Sequence, residues 1–247
     1  MRVSDLLRDL EEKVPLDIAL EGDLVGYIGP GSPDSFDVGR VLVVMDYLPG
    51  VEGACRAYDL LVLHHPPPVS PGVPAYVMHS NWDIVDGGAA DALARCLGIT
   101  VDSVLDQETG LGRVGRLQDG PLSLEAFADR VLEELATDDL RIVNFQKERP
   151  VGRIGLIPGF GLNPHLIQLA AESGVDLYLS GDLTHPGAVL AANADLVLVD
   201  ATHHATEVPG LLRLGELIRG CGVAVDVAET GVPWRCVSRE RGNEQCR

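Results

Sequence analysis

Histidine and carboxylate side chains follow several apolar runs of this sequence, and these side chains bind divalent metal ions in proteins. The first group is in "LVLHHPPP", where His64 and His65 come between an apolar run and three prolines. Proline has a fixed φ and no backbone N–H, so a strand must end here. The two histidines are therefore predicted at the end of a strand, where a rigid loop would hold them.

Further groups have the same position relative to an apolar run. They are His79 and Asp83 in "MHSNWD", Asp182 and His185 in "GDLTH", and His203, His204 and Glu207 in "HHATE". Three imidazoles and two carboxylates could hold two divalent metal ions with a bridging water that is acidified for attack. Zinc, iron and manganese all accept such ligands, and composition does not choose among them.

Each group also has a purely structural interpretation. A histidine pair is often a solvated turn or a hydrogen-bonded strand end, and Asp83 could simply cap the helix that follows it. In "HHATE", a helical turn would bring either His203 or His204 beside Glu207, and a proline two residues later leaves the spacing ambiguous. A shared site is favoured because several of these groups follow the carboxyl end of a predicted strand.

The elements that would position these side chains are strands buried on both faces. Apolar runs without alternation occur at "RVLVVMD", "YDLLVLHH", "AYVMHSN", "RIGLIPG", "VDLYLSGD", "ADLVLVDA" and "GVAVDVAE". Such runs are typical of parallel strands covered by helices, and segments with helix start and stop signals, such as "NPHLIQLAAESG", lie between them. The sequence therefore predicts an α/β fold with polar groups at the carboxyl ends of strands, where open α/β sheets bind ligands.

Two segments of the chain resemble each other. One begins with "VGRVLVV" at Val38 and the other with "VGRIGLI" at Val151, and each continues through a Pro-Gly turn and a helix-sized stretch to an Asp-Leu strand. Two unrelated β-α-β units would give a similar pattern, but we interpret the similarity as an internal duplication. The predicted halves are residues 1–120 and 121–247, joined by a helix in "SLEAFADRVLEELATDDL".

The composition argues against several classes of function. No stretch of the 247 residues has the length and apolar character of a membrane span, and the first residues lack a signal-peptide core, so we expect a cytoplasmic protein with no membrane partner. Acidic residues exceed basic ones by 37 to 19, giving a net charge of −18. A field of this sign repels phosphate, so no direct binding to nucleic acid is expected.

Taken together, the motifs resemble those of the NGG-interacting-factor-three-like family, whose members are also labelled GTP cyclohydrolase type two homologues. The similarity runs from about Val41 to the C-terminus. It is carried by the ordered combination of HHP, H-S-N-x-D with a following Gly-Gly, G-D-x-x-H and H-x-x-x-E. This is the short form of the family, because the long inserted middle domain of some relatives is absent.

The resemblance implies a more specific site than spacing does. The family's last motif is a histidine with a glutamate four residues on, which leaves His204 as a neighbour of the site. The five implied metal ligands are His64, His65, Asp83, His203 and Glu207. The resemblance also implies two similar α/β halves with a dinuclear site in the cleft, and a homo-oligomer, commonly a hexamer. One segment departs from the pattern: "PLDIALEGDLVGYIGPGS" replaces a W-D-N-x-G-L-like stretch and contains no tryptophan.

We therefore expect a dinuclear metal-dependent hydrolase that acts on a small nucleotide-like or phosphorylated substrate, with GTP ring opening suggested by the family label. His79 is the predicted catalytic residue, because it lies four residues before Asp83 and could carry a proton to a leaving group. The alternative is a non-enzymatic metal-binding ring that scaffolds or regulates protein partners. An enzyme needs an open coordination position beside a polar pocket, whereas a scaffold tolerates a closed site and needs an apolar surface patch.

Overall fold

Helices and strands alternate along the chain. The computed structural model describes residues 1–235 and 237, so residue 236 and residues 238–247 of the predicted second half lie outside the described part. The helices are α1 (Val3–Lys13), α2 (Val51–Cys55), α3 (Ser80–Ile84), α4 (Ala89–Cys96), α5 (Leu124–Glu134), α6 (Pro164–Glu172), α7 (His185–Asn193) and α8 (His203–Arg219), with short 3₁₀ helices at Leu16–Ile18 and Pro33–Ser35. The strands are β1 (Gly26–Tyr27), β2 (Arg40–Val44), β3 (Leu60–Leu63), β4 (Ala75–Val77), β5 (Ile99–Val104), β6 (Arg113–Leu117), β7 (Leu122–Ser123), β8 (Arg141–Val143), β9 (Pro150–Val151), β10 (Arg153–Phe160), β11 (Leu177–Gly181), β12 (Val197–Asp200) and β13 (Ala224–Ala228). Within this described part, no helix is both long and apolar enough to span a bilayer.

The first sheet has five strands in the order β1-β4-β3-β2-β13. Four of them are parallel, and β1 pairs antiparallel with β4 at one edge. Side chains of α1 and α8 cover one face of this sheet, and α2 covers part of the other. The predicted parallel strands are therefore confirmed in this sheet, but the expectation of burial on both faces is wrong for β13, an edge strand in which Ala224 and Asp226 are exposed.

The second sheet has six strands in the order β5-β6-β10-β11-β12-β8. Its three central strands are parallel, as predicted, and antiparallel strands flank them. The flanking strands were not among the predicted apolar runs, because sequences such as "ITVDSV" contain the polar residues of a strand that faces water on one side. Helices α4 and α5 pack on one face and α6 and α7 on the other, which completes the predicted α/β class.

The chain does not divide between the sheets at the predicted boundary between residues 120 and 121. Strand β6 precedes that boundary but pairs with β10, and β13 follows it but pairs with β2 of the first sheet. The second sheet is thus formed by a segment that lies between two parts of the first sheet. Strand β13 covers an edge of β2 that would otherwise expose unpaired backbone groups. The internal duplication stays a prediction.

Helices α4 and α8 contribute to the cores of both sheets. Leu211 and Leu214 of α8 pack in the core of the first sheet, whereas Ala205 near the start of the helix packs in that of the second. The two helices approach closely because Gly210 of α8 has no side chain, and a Cβ there would lie 2.6 Å from the Cβ of Ala89 in α4. Helix α8 is therefore fixed against both sheets, and its first turn carries two of the predicted ligands.

Candidate metal centre

The first histidine pair lies at the carboxyl end of β3. The backbone N–H groups of His64 and His65 still donate to carbonyls at and just after the end of β2, so the pair continues the sheet before the prolines end it. The side chain of His64 is only 3% exposed, and its Nδ1 lies 2.9 Å from the carbonyl oxygen of Met78. The Nδ1 atom of His65 lies 2.8 Å from Oδ1 of Asp46. Both rings are therefore held from one side, which leaves Nε2 for another partner.

The second group of candidate ligands lies on the first turn of α8. Thr202 caps this helix, which begins at His203 and continues through Pro209. The Nε2 atom of His203 lies 3.1 Å from Oε1 of Glu207. The ambiguity in "HHATE" is thereby resolved, since His203 rather than His204 contacts the carboxylate.

Two glycines let the second sheet approach this turn. Gly159 of β10 has φ +71°, and a Cβ there would lie 2.1 Å from Oε1 of Glu207. A Cβ on Gly181 of β11 would lie 2.4 Å from the backbone nitrogen of His203. The backbone N–H of Gly159 also donates to Oγ1 of Thr206 at 2.9 Å. A side chain at position 159 would displace the carboxylate of Glu207, and one at position 181 would displace the backbone at His203.

The five candidate ligands form one cluster. Oε1 of Glu207 lies 3.5 Å from Nε2 of His64, and Oε2 lies 3.1 Å from Nε2 of His65. Nε2 of His65 is 3.2 Å from Nε2 of His203, and Oδ1 of Asp83 is 3.7 Å from Nε2 of His64. Within the cluster, His64, His65 and Glu207 offer donor atoms that all lie within 4.8 Å of one another, a spacing that could hold a metal ion.

Buried atoms without hydrogen-bond partners mark the centre of this cluster. Nε2 of His64, Oδ1 of Asp83 and Oε2 of Glu207 are buried and have no hydrogen-bond partner among the described residues, the last because its contact with His65 lacks hydrogen-bond geometry. Leaving such a group unsatisfied costs about 1–3 kcal/mol. Imidazole nitrogen and carboxylate oxygen suit zinc, iron and manganese, so the residues present fit a divalent cation.

Each imidazole near the centre is held from outside through Nδ1. The pairs are His64 with the carbonyl of Met78 (2.9 Å), His65 with Asp46 (2.8 Å), His79 with Asp23 (2.8 Å) and His203 with Asp182 (2.7 Å). Metal-binding histidines in proteins commonly donate their second ring N–H to a carboxylate or carbonyl in this way. The arrangement directs the proton to Nδ1 and leaves Nε2 able to bind a cation.

His79 lies at the edge of the cluster. Its ring centroid is 5.4 Å from that of His64 and 5.5 Å from that of His65. Its side chain is 31% exposed, and burial lowers its pKa despite the contact with Asp23. His79 precedes α3, and Asp83 lies within this helix rather than capping α4.

Without a cation, the electrostatics of the cluster favour protonated His65 and His203 beside an ionised Glu207. Burial lowers the pKa of His65, but contacts with two carboxylates outweigh burial and raise it to about 10. In the same way, the pKa of His203 is raised to about 9 by its carboxylate partners, against the effect of burial. Burial raises the pKa of Asp83 to about 7. The pKa of Glu207 falls well below its usual range, because the charge of His64 and contacts with the other imidazoles outweigh burial.

Comparisons with known proteins identify the family. The family model described as Duf34/NIF3 (NGG1p interacting factor 3) matches residues 68–231. This chain belongs to the DUF34/NIF3 family. A "GTP cyclohydrolase 1 type 2 homolog" from Methanothermobacter thermautotrophicus is 48% identical over 95% of each chain. Another relative with the same name, from Methanocaldococcus jannaschii, is 29% identical and covers 88% of this chain and 95% of its own.

Solved structures share the fold of this DUF34/NIF3 protein. Reduced HcgD from Methanocaldococcus jannaschii has a TM-score of 0.79 and 27% identity, covering 92% of this chain and 97% of its own. The protein ybgI, of unknown function, has a TM-score of 0.83 and 21% identity, covering 95% of this chain and 100% of its own. The likeness in sequence motifs to this family and the predicted α/β class are thus confirmed.

Sequence reasoning about this DUF34/NIF3 protein missed two residues of the site. Asp46 lies two residues after the end of β2 in "RVLVVMD", so its place just beyond a strand end was a signal that could have been used. Asp23 lies in an irregular segment, and nothing in the local pattern marks it. Asp182 was a candidate ligand and instead supports His203, whereas His185 is exposed at the start of α7 and has no hydrogen bond to the cluster among the described residues.

Proposed function

We propose that this protein binds two divalent metal ions through His64, His65, Asp83, His203 and Glu207 and hydrolyses a small nucleotide-like or phosphorylated substrate. The observation that carries the proposal is the cluster of buried, unpartnered nitrogen and oxygen atoms beside imidazoles held through Nδ1. Five donors exceed what one tetrahedral ion needs, so they could hold two ions and still leave coordination positions open. GTP is the first substrate to test, because the relatives are named as homologues of a GTP cyclohydrolase.

Protein side chains would perform the steps around the bound ions. Divalent ions in such a site acidify water and polarise phosphoryl or carbonyl oxygens. Glu207 contacts three imidazoles, so its two oxygens would hold the ligand set together. His79, at the exposed edge, would carry a proton to the leaving group.

Three imidazoles of the cluster are partly exposed to solvent, which favours the enzyme. His64 and Glu207 are buried, whereas His65, His79 and His203 are partly exposed. A substrate could therefore reach the cluster from the side of the exposed imidazoles. A closed structural site would bury all of its ligands.

The charge around the cluster indicates how an anionic substrate would bind. Within the described part of the chain, no lysine or arginine forms a hydrogen bond or ion pair with the five candidate ligands or His79. Carboxylates of Asp23, Asp46 and Asp182 surround the imidazoles instead. Phosphate would therefore be held mainly by the metal ions, and we expect nucleotide binding to require them.

Metal analysis of the protein loaded with zinc or manganese, followed by an assay of formate release from GTP, tests the proposal. We expect about two ions per chain, since five donors exceed one tetrahedral set. Glu207→Gln should weaken metal binding by more than the roughly 10–100-fold that loss of a supporting residue costs, and His204→Ala should leave it unchanged. No more than one ion per chain would contradict the dinuclear site. If other nucleotides or phosphoesters are hydrolysed but GTP is not, the proposed hydrolase activity is supported and GTP is excluded as its substrate.

A second candidate function is a metal-binding scaffold for protein partners. A groove of about 840 Å³ lies along the outer face of α8, and the exposed side chains of Leu212, Val232 and Trp234 line it. Apolar surface of this kind often marks a protein contact, including contacts within a homo-oligomer such as the implied hexamer. Full metal occupancy without turnover of any screened substrate would favour this candidate.

A further inference from the structure

The carboxylate of Asp23 contacts two residues at the start of α3. Its Oδ1 lies 2.8 Å from Nδ1 of His79, and its Oδ2 accepts hydrogen bonds from the backbone N–H of Ser80 at 3.0 Å and from the hydroxyl of Ser80. The backbone N–H of Leu20 donates in turn to Oγ of Ser80 at 2.9 Å. The segment that departs from the family pattern is therefore attached to the edge of the metal centre, and the Asp23 side chain is only 11% exposed.

These contacts determine which ring nitrogen of His79 carries the proton. An ionised carboxylate can only accept hydrogen bonds, so Nδ1 of His79 must be the donor in this pair. In the neutral ring, Nε2 then has a free lone pair. Among the described residues, Nε2 of His79 has no hydrogen-bond partner, since the side-chain bond of this residue is that of Nδ1.

We propose that Asp23 is a positioning residue, which fixes the tautomer of His79 so that Nε2 can accept a proton or a hydrogen bond from the substrate. The inference rests on the proposed function, because His79 is given its role there. The proposal also makes the N-terminal segment that contains Asp23 a part of the site. The residue at position 23 then decides whether the edge of the centre presents a hydrogen-bond acceptor or a donor.

A purely structural role for Asp23 would be to hold the start of α3 through Ser80. The two roles can be separated, because the two carboxylate oxygens have different partners. In Asp23→Asn, the amide oxygen should stay on the two donors of Ser80, so that the NH₂ group faces His79. Nδ1 of His79 must then accept, and the ring proton moves to Nε2. A carboxylate-to-amide exchange beside a catalytic histidine is known to keep the geometry while inverting the tautomer.

Long-range ¹H–¹⁵N NMR of the zinc-loaded, histidine-labelled protein distinguishes the two tautomers, with the His79 signals assigned through His79→Gln. We expect the proton on Nδ1 in the wild type and on Nε2 in Asp23→Asn. Ser80→Ala removes the two hydrogen bonds of the Ser80 hydroxyl, with Asp23 and Leu20, but keeps the backbone N–H of residue 80 on Oδ2 of Asp23, and should keep the wild-type tautomer. Glu21→Gln removes the same charge two residues away and is the matched control. The variants Asp23→Asn, Ser80→Ala and Glu21→Gln should all retain the wild-type zinc content.

A wild-type His79 with its proton on Nε2 would overturn the proposal, and this measurement needs no variant to fold. An unchanged tautomer in Asp23→Asn would overturn it as well. With a substrate in hand, Asp23→Asn should lower kcat on the order of 10²–10⁴-fold at constant zinc content. If the tautomers are as expected but the protein hydrolyses no substrate, the proposed hydrolase function is contradicted. The positioning role of Asp23 toward His79 is then still supported.

Discussion

The two sheets contribute to the metal centre in different ways. The strand end of the first sheet supplies His64, which is buried and has its Nδ1 on a backbone carbonyl. The helix that follows the second sheet supplies His203, whose side chain is 29% exposed and whose Nδ1 contacts the exposed carboxylate of Asp182. A backbone carbonyl next to a strand end, such as that of Met78, has one position, whereas an exposed carboxylate has several rotamers and competes with water. The difference indicates a rigid side of the centre at His64 on the first sheet and a more adjustable side at His203 on the second.

Gly159→Ala should break the contribution of the second sheet and have the largest effect. The new Cβ would be only 2.1 Å from Oε1 of Glu207 in the present geometry, so the carboxylate must move away from the imidazoles. We expect metal affinity to fall by more than about 100-fold, beyond the loss of a supporting residue. Isothermal titration of the apoprotein with zinc measures this change.

Gly174→Ala is the matched control for this prediction. Gly174 also has a left-handed φ, of +66°, but a Cβ there would meet no atom within 4 Å. Both variants should lose about 1–2 kcal/mol of folding free energy because of the strained backbone, but only Gly159→Ala should lose metal affinity. Equal metal affinity in the two variants would show that Gly159 has no special relation to the centre.

The same contrast explains which parts of the site could be predicted from the sequence. His64 and His65 were found because an apolar run and three prolines together define a strand end. The pairing of His203 with Glu207 came from the family motif, since spacing alone allowed His204 as well. The helix continues through Pro209 because it packs against both sheets, which local sequence preferences do not reveal.

Other features depended on contacts between residues far apart in the chain. Asp23 reaches His79 across 56 positions, and no local pattern reports such a contact. Strand β13 returns to the first sheet after the second is complete, so a single boundary between residues 120 and 121 could not describe the sheets. Strands that are buried on both faces were predicted well because their apolar runs are continuous, whereas flanking strands have mixed sequences.

Asp46→Asn and Asp182→Asn compare the supports of the two sides directly. Each removes the carboxylate partner of one imidazole, His65 or His203, and should weaken metal binding about 10–100-fold. The loss should be larger for Asp46, because Asp182 is more exposed and water can replace it. Competition with a chromophoric chelator gives both affinities under one condition. Equal losses would contradict the distinction between a rigid and an adjustable side.

Proton release on metal binding is the smallest of the expected effects, and it compares His65 on the first-sheet side with His203 on the second-sheet side. Without a cation, the pKa values of His65 and His203 are raised to about 10 and about 9, so both rings are protonated at pH 7. A cation binds only the neutral ring, so zinc should release about two protons from these histidines at pH 7, and the carboxyl of Asp83, with a pKa of about 7, should add a fraction of a proton. Affinity should rise with pH by about tenfold per unit for each proton displaced. The dependence should weaken first near pH 9, when His203 on the second-sheet side is already neutral, and again near pH 10 for His65. Calorimetry in buffers with different ionisation enthalpies counts the protons, and His185→Ala, at an exposed histidine, should leave the count unchanged. If almost no protons are released at pH 7, the carboxylates do not keep His65 and His203 protonated. The pKa values of these two histidines would then not distinguish the two sides of the centre.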